Sequence, residues 1–137
     1  MVCERNMWIL KPGENSNRGR GIQVASDWKD ILEYVRQADT SVVVQKYIEN
    51  PLLYKGRKFD MRMYALCTWV NGRVKLYFYD SGYVRTSSFE YSLDTNDTLV
   101  HLTNEAIQIQ HASFGKFERG NKVTLDELAV FIKSVDA

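Results

Sequence analysis

Polar and apolar residues alternate through the middle of the chain, from Lys58 to Trp69. Successive side chains of a β-strand point to opposite faces, so this alternation predicts a strand with two unlike faces. We expect one face to pack in the core: Phe59, Met61, Met63, Ala65, Cys67 and Trp69. The opposite face begins with Lys58, Asp60 and Arg62, whose charges would be costly to bury in a dry interior. That face should therefore meet a ligand, or it is a solvated sheet face with a surface ion pair.

A two-residue turn signal, Asn71-Gly72, follows this strand and predicts a hairpin. The turn fixes the register, because Val70 must then face Arg73 and every earlier pair follows from it. We predict that Asp80-Ser81-Gly82 is a three-residue connection with Gly82 in the left-handed region, which would pair Tyr77 with Arg85. Arg85 then joins Lys58, Asp60 and Arg62 on the charged face. A positive cluster beside one carboxylate suits a phosphate or carboxylate ligand.

The flanking segments predict further strands and helices around this hairpin. The pattern predicts a strand at Met7–Leu10, a glycine-rich loop at Gly13–Gly21 and a second strand from Ile22. A helix should follow, capped by Asp27, and its core stripe would consist of Trp28, Ile31, Leu32 and Val35. It then predicts a strand at Ser41–Ile48, a connection at Leu52–Arg57, a helix at Glu105–His111, and a last helix with a Thr124 and Glu127 capping box and the buried stripe Leu125, Leu128, Ala129 and Ile132. Asn104 suits an N-cap, and His101 has no partner at metal-ligand spacing.

The loop at Gly13–Gly21 holds three glycines and two arginines, so its backbone amides could approach anionic oxygens closely. It is not a Walker A loop, because no Gly-Lys-Ser or Gly-Lys-Thr follows and the next element is a strand. An ordinary mobile hairpin loop remains the alternative.

Charge and cysteine content narrow the class of protein. Lysine and arginine number 18 against 17 for aspartate and glutamate, so the net charge of +1 favours neither a general nucleic-acid binder nor a membrane-surface protein. Cys3 and Cys67 lie far apart and predict neither a disulfide framework nor a metal site, which fits a reducing, cytoplasmic location. No apolar run is long enough to span a membrane and no signal-peptide pattern is present.

Four stretches together carry a resemblance: WILKP with its SNRGRGI loop, VVVQKYIENPLLYKGRKFDMRMYALCT, YFYDSGYVRTSS and HLTNEAIQ. They resemble the tubulin tyrosine ligase-like family, and FGKFERGN resembles the tyrosine ligase more than the glutamylase branch. The resemblance implies an α+β, ATP-grasp-like fold, an antiparallel sheet with flanking helices. It also implies an incomplete domain: residues 1–137 would be the central part, without the N-terminal domain and the C-terminal metal-ligand segment.

The resemblance assigns roles to residues that match the family motifs. Lys11 would contact the nucleotide phosphates, Arg18 and Gly19 would belong to a covering loop, and Thr103 and Asn104 would be polar contacts. The segment Gln45, Lys46, Tyr47 and Ile48 matches the one whose backbone holds the adenine edge. Lys58 and Asp60 match nucleotide-site residues, and Lys58, Arg62 and Arg85 are the expected catalytic residues.

The implied reaction joins an amino acid to the acidic C-terminal tail of tubulin. A carboxylate would take the γ-phosphoryl group of ATP, and the amine of tyrosine, glutamate or glycine would attack the acyl phosphate. Magnesium would bridge the phosphates, but the family's Glu-x-Asn ligand motif lies after these stretches. None follows them in this chain, and its one Glu-x-Asn triplet, Glu4-Arg5-Asn6, precedes them, so no metal ligand is assigned here and the fragment alone should be inactive. The expected location is the cytoskeleton, including the cilium or basal body. The alternative is a non-catalytic module that binds tubulin tails.

Overall fold

The computed structural model describes residues 5–14 and 16–135, which form an α+β fold with antiparallel sheets and short helices. This matches the predicted class of an incomplete ATP-grasp-like domain. In chain order the elements are β1 Trp8–Pro12, β2 Gln23–Ala25, α1 Trp28–Gln37, β3 Val42–Lys46, β4 Leu53–Tyr54, β5 Arg57–Arg62, β6 Ala65–Val70, β7 Arg73–Phe78, β8 Tyr83–Glu90, α2 Thr98–His101, α3 Glu105–Gln108, β9 Lys122–Thr124 and α4 Leu125–Val135. None of these helices is long and apolar enough to cross a membrane. Cys3 lies outside the described residues.

The first sheet has the order β2-β1-β3, with all pairs antiparallel. Leu10, Ala25 and Ile31 form its core with α1. Asp27 caps α1 as predicted, because its carboxylate accepts a hydrogen bond from the Lys29 amide at 2.8 Å. The predicted core stripe is only partly correct. Trp28 is 66% exposed, and only Ile31 of that stripe is fully buried.

The second sheet has the order β4-β5-β8-β9. Its apolar core consists of Tyr54, Val84, Val123 and Leu128, with Phe59 and Phe131 packed against them. The predicted capping box at the start of α4 is confirmed: Glu127 accepts from the Thr124 amide at 2.8 Å, and the Thr124 hydroxyl accepts from the Glu127 amide at 3.1 Å. These hydrogen bonds lower the pKa of Glu127.

The predicted partner of β8 is wrong. β8 pairs with β5, not with β7, so Arg85 lies opposite Asp60 and Tyr83 lies opposite Arg62. Gly82 does not adopt the left-handed region. It is required for another reason, because a Cβ at Gly82 would lie 2.4 Å from the carbonyl oxygen of Arg62. This close approach lets the chain turn back onto β5.

The hairpin of β6 and β7 has the predicted register, from Val70 opposite Arg73 to Leu66 opposite Tyr77. Asn71 and Gly72 both have positive φ, 51° and 74°, as a type I′ turn requires. The predicted core face is wrong, since Trp69 is 78%, Leu76 77% and Phe78 69% exposed. The hairpin is a separate two-stranded ribbon, because β5 ends at Arg62 before β6 begins at Ala65.

Four further expectations need correction. The predicted connection Leu52–Arg57 contains β4 and a turn into β5. The strand predicted at Ser41–Ile48 is present as β3, but Val43 and Val44 are exposed because β3 lies at a sheet edge among the described residues. The helix predicted at Glu105–His111 is a single turn, Glu105–Gln108. Met61 and Cys67, expected in the core, are exposed.

Candidate functional site

Asp60 lies at the centre of the charged face of β5. Its carboxylate forms a bidentate pair with the Arg85 guanidinium, with an Nε to Oδ1 distance of 3.0 Å, and accepts the Thr103 hydroxyl at 2.6 Å. This pair raises the pKa of Arg85. By strand alternation Lys58 and Arg62 point to the same face as Asp60, so the four charges converge as predicted, although through a different strand pairing.

A cavity of about 580 Å³ opens beside Arg62 and Arg85, a size typical of small-molecule sites. Arg18 and Asn17 reach it from the glycine-rich loop, and Asn104, Glu105, Ala106 and Ile109 close the other side. Three arginines thus face one carboxylate, Glu105, which also pairs with Lys122. The excess of positive charge suits an anionic ligand such as phosphate.

The glycine-rich loop lies directly against α3. Gly19 is buried with φ of 80°, and a Cβ there would lie 3.0 Å from the Asn104 side-chain oxygen and 3.1 Å from Ile107. Only glycine allows this approach, which brings the neighbouring Arg18 to the cavity. The structure therefore brings Arg18 and Gly19, which the resemblance assigned to a covering loop, together with Asn104, which it assigned as a polar contact.

The short helix α3 is fixed by a buried glutamine. The Gln108 side chain accepts from the Ser88 amide at 2.8 Å and donates to the carbonyl oxygens of Leu99 and Leu102, at 2.8 and 2.6 Å. These bonds fix the segment that carries Thr103 and Asn104. Asn104 occupies the N-cap position, but its side chain makes no cap hydrogen bond and faces the cavity.

Lys11 and Lys58 form a second group of predicted residues beside the first. The Lys11 ammonium donates to the Gln45 side chain at 2.7 Å, and the Lys58 ammonium donates to the Tyr47 hydroxyl at 2.6 Å. Burial lowers the pKa of Lys58 to about 8, an effect that Lys11 increases and Asp60 opposes. The two lysines and Asp60 are thus close enough to influence one another electrostatically.

The segment expected to hold an adenine edge follows β3. The Tyr47 amide is already used, since it donates to the Met7 carbonyl at 3.0 Å. Neighbouring residues of a strand direct their backbone groups to opposite edges, so those of Lys46 face the edge away from β1. The Lys46 ammonium pairs with the buried Glu49 and does not join the charged face, and Ile48 is 71% exposed.

The residues present fit an anionic nucleotide better than they fit a metal. Lys11, Lys58 and the arginines supply cations for phosphate oxygens. Within residues 5–14 and 16–135, no group of three histidine, cysteine or carboxylate side chains could hold a metal ion. ATP phosphates would thus find partners here, whereas ligands for magnesium were expected elsewhere.

Sequence reasoning missed the side chains of Tyr47 and His101, which are both buried beside Lys58. It also missed Asn17 and Glu105, which line the cavity. For His101 a signal existed: one titratable residue inside the apolar run Leu99–Leu102 predicts a buried histidine that needs partners. No local pattern marked the other three.

Comparisons with known proteins identify the family. The model of the tubulin-tyrosine ligase family matches residues 2–135. Tubulin glycylase 3B of Drosophila melanogaster is 36% identical over 97% of this chain and 18% of its own length. Tubulin glycylase 3D of Tetrahymena thermophila is 39% identical over 93% of this chain and 13% of its own length. Tubulin monoglycylase TTLL3 of Homo sapiens is 44% identical over 79% of this chain and 14% of its own length.

The chain thus spans less than a fifth of the length of these relatives. The relatives named above are glycylases. The resemblance of FGKFERGN to the tyrosine ligase therefore stays a prediction. Because the family model covers nearly the whole sequence, and the relatives are 36 to 44% identical over most of this chain, the chain belongs to the tubulin-tyrosine ligase family.

Proposed function

We propose that this chain is the nucleotide-facing part of an ATP-dependent ligase that joins an amino acid to tubulin tails. The observation that carries the proposal is the charged face of β5 and β8, where Lys58, Arg62 and Arg85 surround Asp60 beside an arginine-lined cavity. Family membership supplies the reaction class. The names of the relatives favour glycine as the amino acid and a cytoskeletal location.

The chemistry needs cations where negative charge develops. A tail carboxylate attacks the γ-phosphorus of ATP and ADP leaves. The amine of the amino acid then attacks the carbon of the acyl phosphate, loses a proton and displaces phosphate. Lys58, Arg62 and Arg85 stabilise charge on the transferring group, and one such donor typically contributes about 2.7 to 4 kcal/mol. Magnesium supplies further charge neutralisation at the phosphates, and we expect its ligands outside residues 1–137.

Asp60 has a supporting role in this arrangement. It holds Arg85 by two hydrogen bonds and Thr103 by a third, so it fixes the direction in which the guanidinium points. A fixed cation costs little reorganisation when the phosphoryl group transfers. Arg18, brought in by the loop at Gly19, would close the phosphate end of the cavity.

A ligation assay tests the proposal. A longer protein that includes the metal ligands is incubated with tubulin, magnesium, ATP and isotopically labelled glycine, tyrosine or glutamate, and addition is followed by mass spectrometry. We expect glycine addition, and a loss of about 100-fold for Lys58→Ala, the scale of one lost transition-state donor. Lys29→Ala, which changes an exposed lysine of α1, is the matched control.

Two outcomes would contradict the proposal. Activity of Lys58→Ala within a factor of two of wild type would remove Lys58 from the mechanism. Tail binding without addition of any of the three amino acids would show a non-catalytic module. The 137-residue chain alone should give no addition, and turnover by it would show that it carries its own metal ligands.

A further inference from the structure

Three hydrogen bonds in series connect Lys58 to the interior of the protein. The Lys58 ammonium lies 2.6 Å from the Tyr47 hydroxyl, which lies 2.9 Å from Nδ1 of His101. Nε2 of His101 lies 2.7 Å from the carbonyl oxygen of Thr95. Tyr47 is 5% and His101 1% exposed, so water does not supply alternative partners for the middle of the series.

The chemistry of the two ends fixes the direction of every bond. A carbonyl oxygen only accepts, so Nε2 of His101 must carry the hydrogen that it donates to Thr95. In the neutral imidazole Nδ1 is then an acceptor, and the Tyr47 hydroxyl donates to it. The oxygen of Tyr47 is left to accept from Lys58, whose ammonium only donates. Each group has one role, and the series is consistent only in this order.

A charged His101 would break the series. Its Nδ1 would become a donor, so the Tyr47 oxygen would accept from two cations and its own hydrogen would have to turn from His101 to the Tyr91 hydroxyl. Burial, the largest cause, and nearby Lys58 both lower the pKa of His101, while Asp97 and the Thr95 carbonyl oppose them, so the neutral form is favoured. Tyr91 also faces the Tyr47 hydroxyl, and Lys11 and Asp60 face Lys58.

The series joins parts of the fold that are distant in sequence. Tyr47 follows β3 of the first sheet, Lys58 lies on β5 of the second, and His101 ends α2. The Lys58 ammonium also lies 4.3 Å from the centre of the Tyr47 ring. A lysine side chain has many rotamers, so a fixed hydroxyl and ring restrict where its ammonium can lie.

We propose that Tyr47 and His101 are positioning residues: neutral His101, anchored on Thr95, orients the Tyr47 hydroxyl, which holds the Lys58 ammonium beside Asp60. The inference that this position of the Lys58 ammonium favours phosphate binding rests on the proposed function. The positioning itself does not, because it concerns the protein without nucleotide.

Two substitutions of His101 separate positioning from space filling. The side-chain oxygen of asparagine lies as far from Cα as Nδ1 does, so His101→Asn keeps an acceptor for Tyr47 but cannot reach Thr95. Glutamine extends as far as Nε2, so His101→Gln keeps the bond to Thr95 but lacks the acceptor at Nδ1. A merely structural histidine predicts that the larger, anchored glutamine is the better substitute. Positioning predicts that asparagine is.

The readout is the NMR spectrum of the Lys58 ε-methylene group in the 137-residue chain without nucleotide. The two ε-methylene protons are diastereotopic, so an ammonium held in one place gives them clearly separated shifts, whereas a mobile one gives them nearly equal shifts that merge into one signal. We expect two shifts in wild type and in His101→Asn, and one in His101→Gln and in Tyr47→Phe, which removes only an oxygen atom. Should a His101 variant fail to fold, Tyr47→Phe decides. Two distinct shifts in Tyr47→Phe would overturn the proposal, as would averaging in His101→Asn but not in His101→Gln.

A titration with ATP and magnesium on the same samples tests the nucleotide site separately. We expect ATP to shift the Lys58 signals in wild type and to bind about tenfold more weakly to Tyr47→Phe, the loss of one hydrogen bond to a charged group. If ATP leaves the wild-type signals unchanged while Tyr47→Phe still averages them, the proposed function fails and the positioning series stands.

Discussion

Replacing Lys58 with methionine should remove a dependence of stability on pH that the buried ammonium causes. The pKa of Lys58 is about 8 in the folded protein and about 10.5 as the ordinary value. Between these values the unfolded chain binds the proton more strongly than the folded protein does. The free energy of unfolding therefore rises with pH through this window, by up to about 1.36 kcal/mol per pH unit.

The width of this pH window sets the size of the expected change in the free energy of unfolding. About 2.5 pH units at 1.36 kcal/mol each give about 3 kcal/mol, which is an upper value because Lys58 is only partly buried. Wild type should thus gain up to about 3 kcal/mol relative to Lys58→Met between pH 7 and pH 10.5. Tyrosines and other lysines titrate in both proteins, so the difference between the two curves isolates Lys58.

The assay is urea denaturation of both proteins at pH 7, 8, 9, 10 and 10.5, with the unfolding free energy extrapolated to water. Lys29→Met, on the exposed face of α1, controls for the loss of any one lysine, and we expect its curve to follow wild type. Parallel curves for wild type and Lys58→Met would refute the reasoning, because they would mean that folding does not change how Lys58 binds its proton.

Three smaller predictions follow from single contacts. Asp60→Asn, which removes the carboxylate that pairs with Arg85, should lower the free energy of unfolding by about 1 to 3 kcal/mol in urea denaturation. Thr124→Ala should cost about 1 kcal/mol because it removes one side of the capping box, and Thr124→Ser should restore it. Trp69→Ser should change stability by no more than about 0.5 kcal/mol, because the indole is 78% exposed.

Each of these has a result that would contradict it. An Asp60→Asn protein as stable as Asp39→Asn, an exposed control, would mean that the ion pair contributes nothing. A Thr124→Ser protein no more stable than Thr124→Ala would show that the hydroxyl group does not contribute to the stability of the cap. A loss of several kcal/mol in Trp69→Ser would show that the ribbon of β6 and β7 packs against other residues in solution.

The sequence alone predicted the local elements well, since their causes lie within a few residues. Asn71 and Gly72 require positive φ, so the hairpin register follows from the turn. The caps at Asp27 and Thr124 satisfy backbone amides two or three residues away. Alternation along β5 placed Lys58, Asp60 and Arg62 on one face, because side chains of a strand alternate whatever its partner.

Four residues to which the family motifs gave roles line the cavity, namely Arg18, Arg62, Arg85 and Asn104, but the motifs did not predict how these residues are held. Arg85 was expected to reach the charged face by pairing with β7, but it lies there because β8 pairs with β5, and it forms a bidentate pair with Asp60. The roles of Tyr47 and His101 depend on a hydrogen bond between the two residues, which are 54 positions apart in the sequence. No periodicity or turn signal carries such information, because buried hydrogen-bond partners are chosen by packing across elements.

The tertiary structure alone decided two features of this protein: which strand pairs with β8, and whether the apolar side chains of the β6 and β7 ribbon are buried or exposed. The register of β6 and β7 is local, yet whether their apolar face is covered depends on what packs against it. β8 could have paired with β7 or β5 on local pattern alone, and in the structure it pairs with β5, where the lack of a side chain at Gly82 allows a close approach to Arg62. Strand pairing across a connection is a competition between distant surfaces, whereas turns, caps and alternation follow from the geometry of neighbouring residues.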